Sequence, residues 1–91
     1  MSLFQASTTE GFSFAIGEST VISPANESRL FLELTVVAGS NCWVRRSSLV
    51  EKGKGIFLTG VGSSFRCDDW RGDISVISEG QTIISGEIGY L

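Results

Sequence analysis

The chain contains no histidine. Histidine is the side chain that ordinarily changes charge near neutral pH, so its absence removes the usual proton shuttle and excludes any Ser-His-Asp or Cys-His nucleophilic site. Only two cysteines are present, Cys42 and Cys67. They form no CxxC pair, and without histidine they cannot complete a metal set of the zinc type. The first residues lack the basic start and apolar block of a secretory leader, so the expectation is two reduced thiols that pack as small apolar groups. A Cys42–Cys67 bridge would require their strands to be neighbours. No apolar run approaches the ~20 residues of a membrane-spanning helix. Basic residues are few: 7 Lys and Arg against 10 Asp and Glu give a net charge of -3. They group only as Arg45-Arg46 and Lys52/Lys54. A nucleic-acid partner needs a basic surface to neutralise phosphates, and neither nucleic acid nor membrane is expected as a partner. Proline occurs once, at Pro24, against 11 glycines, a balance that suits many tight turns.

What is present is a chain of 91 residues, 42% apolar, which is one globular domain by length and composition. A domain of this size keeps much of its surface in water and tends to be marginal alone. Its dominant signal is a period of two. Phe12, Phe14 and Ile16 alternate with Ser13 and Ala15, which marks a half-buried strand beginning at Phe12. Thr20-Val21-Ile22 is a short β-branched run that stops at Ser23-Pro24-Ala25-Asn26. In Arg29–Val37, Leu30, Leu32, Leu34 and Val36 share one face, and Phe31, Glu33, Thr35 and Val37 the other. Ala38-Gly39-Ser40-Asn41 reads as a hairpin turn that returns Cys42-Trp43-Val44-Arg45 antiparallel to the preceding strand. Gly55-Ile56-Phe57-Leu58 is a further strand. Asp73–Ser78 and Gln81–Ser85 read as a closing hairpin about Glu79-Gly80. About eight short strands with short loops predict an all-β fold, an antiparallel sandwich of jelly-roll type over residues 12–91. Its expected core includes Leu30, Leu32, Leu34, Ile74, Val76 and Ile83 or Ile84. Residues 1–11 have no period and read as a flexible N-terminal arm. Leu3 and Phe4 on that arm either tuck onto the domain or dock on another chain.

The search for chemistry returns little. Asp68-Asp69 with Asp73 is the sole carboxylate group, and the first two are adjacent, so on a strand they would point to opposite faces. They read as a solvated turn. Gly53-Lys54-Gly55 and Gly60-Val61-Gly62 are turn glycines, since a phosphate loop needs a following helix. Arg71-Gly72-Asp73 spells a tripeptide used by integrin ligands, but its setting after Trp70 and before Ile74 reads as a turn with two solvated charges. Catalytic residues, bound metals and cofactors are therefore not expected. Trp43 is different: if Cys42 and Val44 point inward, alternation turns Trp43 outward, where an aromatic with a polar handle makes an interface.

Several short motifs carry a resemblance. Arg29-Leu30-Phe31-Leu32 opens a strand, Cys42-Trp43-Val44 sits in the next, and Gly55-Ile56-Phe57-Leu58 follows. Trp70-x-Gly72-x-Ile74-x-x-Ile77-Ser78 leads the last strands, which close at Gly86-Glu87. Over residues 29–88 this pattern resembles the small β-sandwich decoration or cement proteins of tailed-bacteriophage capsids. It departs where an Asn often ends the first strand, since Leu34-Thr35-Val36 continues it here. The resemblance implies a non-enzymatic virion protein, made in the host cytoplasm and seated on the capsid surface. Its implied partners are the major capsid protein and other copies of itself, commonly as a trimer. Leu3, Phe4, Trp43, Arg45 and Arg46 are the expected partner-binding residues. The alternative is a receptor- or carbohydrate-binding module of a phage tail or fibre.

Overall fold

A computed structural model of the chain describes residues 6–91. Among these residues the alternating runs form eight β-strands and no helix: β1 (Thr8–Ile16), β2 (Thr20–Ser23), β3 (Arg29–Gly39), β4 (Cys42–Arg45), β5 (Ile56–Leu58), β6 (Ser64–Cys67), β7 (Ile74–Ser78) and β8 (Thr82–Tyr90). They build two four-stranded antiparallel sheets, ordered β1-β8-β3-β6 and β2-β7-β4-β5. This is the strand order of a jelly roll, as expected. Leu3 and Phe4 lie outside the described residues. Thr8–Gly11, read from the sequence as arm, form the first half of β1, where they pair with Tyr90–Glu87. A strand can begin ahead of its apolar alternation when a long neighbour supplies backbone partners, and β8 does so here.

The two expected hairpins do not form. β3 and β4 lie in different sheets, and so do β7 and β8. Ala38–Asn41 and Glu79–Gln81 are arches that carry the chain across the sandwich. A Gly/Ser turn serves either purpose, so turn chemistry and period two leave the pairing partner open. Here the two arches lie against each other. Ser40 N–H donates to Thr82 Oγ1 at 3.1 Å, Thr82 Oγ1 donates back to Ser40 O at 3.2 Å, and Gly80 N–H donates to Ser40 Oγ at 3.1 Å. Gly39 permits this approach: its φ is +99°, and a Cβ would strike the carbonyl of Gln81.

The core lies between the sheets. Leu32, Leu34, Val36, Ile84 and Ile88 come from one side, and Ile22, Cys42, Val44, Leu58, Ile74 and Val76 from the other. Of the expected core, Leu32, Leu34, Ile74, Val76 and Ile84 are buried, whereas Ile83 is exposed and Leu30 only half-buried. The register of β3 on β8 shifts between Arg29 and Phe31. This bulge displaces Leu30 from the core row and leaves Arg29 fully buried. Cys42 and Cys67 are both free and buried, one in each sheet.

Leu32 has no exposed surface. Leu32→Ala is expected to cost roughly 2–5 kcal/mol, through lost apolar burial plus a cavity that a close-packed sandwich cannot collapse. A denaturant midpoint that does not move would refute this placement.

Candidate functional site

Construction of the surface begins inside, at Arg29. Its guanidinium reaches two chain segments at once. Nη1 donates to Ser23 Oγ at 2.7 Å and to Pro24 O at 3.2 Å, while Nη2 donates to Trp70 O at 3.0 Å and Gly72 O at 2.5 Å. Burial pushes its pKa down against the opposing pull of Cys67, Tyr90 and Asp73. Arginine holds its proton through such a shift, so the cation is stabilised by carbonyl dipoles. The Trp70–Asp73 loop closes over it. Arg71 Nε donates to Arg29 O at 3.0 Å, and Asp73 Oδ1 accepts from Ala25 N–H at 2.7 Å. The Trp70 indole donates to Asp73 O at 2.9 Å and lies so close over Gly72 that a Cβ there would strike the ring. Arg71 and Asp73 are thus each tied to the backbone by one hydrogen bond; Arg71 stays exposed, as its reading as a solvated charge has it, whereas Asp73 is half-buried. Sequence reasoning missed Arg29 as an organiser, because a charge ahead of Leu-Phe-Leu looks like an ordinary strand start.

The outer face of β2-β7-β4-β5 carries the aromatic pair. Cys42 and Val44 are fully buried and Trp43 is half-buried, so Trp43 turns outward as alternation requires. It pairs with Phe57 on β5 and Ile77 on β7. The Trp43 and Phe57 rings are tilted at 37° with centroids 5.1 Å apart, and Phe57 remains 46% exposed. The next row holds Arg45, Ser75 and Val21, with Arg45 and Val21 exposed. An aromatic–aliphatic strip rimmed by an arginine is therefore open to solvent. Phe57 was not among the expected partner residues, because only the register of β4 on β5 sets it beside Trp43. Arg46 stands apart from the strip. It lies 3.7 Å from Asp69 and over the Phe65 ring at 5.7 Å, on the side of β6.

The outer face of β1-β8-β3-β6 is polar. Ser13, Ser85, Thr35 and Ser64 align in one row across all four strands, and Gly11, Glu87, Glu33 and Arg66 in the next. Arg66 pairs with Glu33, approaches Asp68 at 3.8 Å and stacks over Phe31 at 4.8 Å. Two open hollows of about 280 and 270 Å³ flank β3 on this face. One lies between Glu33-Leu34-Thr35 and Ser85-Gly86-Glu87, the other between Glu33-Leu34-Thr35 and Ser64-Phe65-Arg66. Among the described residues no cluster of three potential metal ligands occurs. No family model, curated protein or solved structure matches the chain.

Two outcomes follow from the buried groups. Arg29→Ala leaves Ser23 Oγ and three part-buried carbonyls without their donor, and should cost at least about 3 kcal/mol. An unchanged melt would overturn the clasp. Burial also raises the Cys42 thiol pKa. A folded pKa above the unfolded one gives stability that is complete below the unfolded thiol pKa and lost as pH rises through the folded value. Stability should therefore fall at alkaline pH, and Cys42→Ala should flatten that decline.

Proposed function

We propose that the chain is a non-enzymatic assembly module, a capsid decoration protein of the tailed-phage type that seats on coat subunits through the outer face of β2-β7-β4-β5. The observation that carries this reading is the outward-facing pair of half-buried Trp43 and exposed Phe57, flanked by Ile77, Val21 and Arg45. Aromatic side chains and arginine are the residue types that dominate interface energies, and soluble sheets seldom leave such a strip to water without a partner. The capsid setting itself rests on the resemblance over residues 29–88. A small domain of this kind gains stability when a shell immobilises it. Acidic excess also complements basic patches on a coat.

A second reading is favoured by the other face. The hydroxyl row, Glu33, Glu87, Arg66 and the two hollows they line offer donors and acceptors, the polar chemistry of a carbohydrate-binding surface.

The test adds purified chain to coat shells that lack it and measures occupancy. Trp43→Ala combined with Phe57→Ala should lower affinity by about a hundredfold, within the range for loss of two interface aromatics, and leave the melt close to that of the parent. Full occupancy by the double variant would sink the assignment of this face. Retention on a glycan surface that Thr35→Ala abolishes would favour the second reading.

A further inference from the structure

A sandwich of two open sheets has four edge strands, here β1, β6, β2 and β5. Three of them are protected in familiar ways. β5 has three residues, β6 has four and carries Arg66, and β2 has four with a register shift between Val21 and Ser23. β1 has none of these devices. It is nine residues long, pairs with β8 from Thr8 to Ile16 without a shift, and contains no Pro, Lys or Arg. Glu10 is its single charge. Its outward row, Thr9, Gly11, Ser13 and Ala15, is small and exposed throughout, so among the described residues no side chain stands guard over the edge. Its inward row includes Phe12 and Phe14, both only partly buried, with ring centroids 5.7 Å apart. They reach the core from the rim and leave one flank open.

We propose that β1 is a self-association edge, pairing antiparallel with β1 of a second copy about a two-fold axis. The strand is its own complement. A strand that covers this edge must bring apolar residues on the inward side and small ones on the outward side, and β1 itself has that pattern. With the axis at Phe12, each Glu10 faces the partner's Phe14, so the two carboxylates stay apart and the four phenylalanines form one cluster. The pairing joins the two sheets into one of eight strands ending in the short β6 edges. It also consumes both β1 edges, so association closes at two copies and cannot propagate as a fibre. A ladder of nine residues is roughly 30 Å long, and with the ~10 Å depth of a sheet face it covers a few hundred Å² per copy. That area belongs to a weak dimer formed at micromolar to submillimolar concentration. The inference is independent of coat binding, which uses the opposite sheet, and it replaces the expected trimer with a two-fold pair.

The experiment is sedimentation equilibrium of the full chain up to several hundred micromolar, run beside Ser13→Lys/Ala15→Lys and a Ser64→Lys control on the β6 edge. The parent should fit a monomer–dimer equilibrium. The β1 double variant should dissociate at least about tenfold more readily with its melt retained, because like charges then meet across the seam. The control should behave as the parent. Hydrogen exchange should slow with concentration in Thr8–Ile16 and not in Ser64–Cys67. A parent that stays monomeric, assembles as a trimer, or dimerises equally well with both lysines overturns the proposal. If the double variant unfolds, concentration-dependent protection confined to β1 in the parent supports the edge, and its absence overturns it.

Discussion

Everything at one end of the sandwich depends on the charge of Arg29. The guanidinium sits where the β2–β3 connection meets the loop entering β7, and it supplies the donors that those two loops need. Without it, carbonyls from Pro24, Trp70 and Gly72 would converge on one another with no hydrogen to share. A buried cation is expensive in isolation, but here several carbonyl dipoles and a hydroxyl replace water. The Nε, which has no partner among the described residues, is the part of the cost left uncompensated. The guanidinium adds a side-chain clasp to the Ser23–Ile74 strand pairing and to the Asn26 N–H bond to Arg71 O at 2.8 Å, which join the same two segments. The Trp70–Asp73 loop owes its shape to that constraint.

The opposite end is held by neutral groups. The arches Ala38–Asn41 and Glu79–Gln81 interlock through Ser40, Gly80 and Thr82, with Gly39 giving the clearance. Between these ends the interior is apolar, with Ser78 Oγ donating to Ile16 O at 2.9 Å to tie β7 to β1 across the sheets. This division leaves the two outer faces free to differ. One is aromatic and aliphatic about Trp43 and Phe57, and the other is a field of hydroxyls and carboxylates. A protein with two unlike faces can hold one against a partner and keep the other wet.

The strands themselves were legible in the sequence because period two survives in Phe12–Ile16, Leu32–Val36 and Ile74–Val76. The sheet to which each belongs was not. Ala38-Gly39-Ser40-Asn41 has the composition of a hairpin turn, and only the distant contact with Thr82 makes it an arch. The burial of Arg29 was equally hidden, since its ligands lie as far along the chain as Trp70 and Gly72 and are backbone atoms, which leave no mark on residue type. The outward aim of Trp43 followed from alternation with Cys42 and Val44. Its partner Phe57 required the register of β4 on β5, which a ten-residue loop conceals. Val50 illustrates the same limit: in that polar loop it is buried, its N–H bound to Ser19 Oγ at 3.0 Å.

The position of β8 between β1 and β3 has a consequence for synthesis. The last strand in sequence is the middle of its sheet, so β1 and β3 emerge with an empty lane between them. Neither can complete its ladder until β8 arrives, and loop closure over most of the chain must precede the reward. During translation the unpaired β1 and β3 therefore present open backbone and apolar rows to whatever else is nearby. Folding should wait for β8 and be slow for a domain of this length, with crowded nascent chains as its hazard.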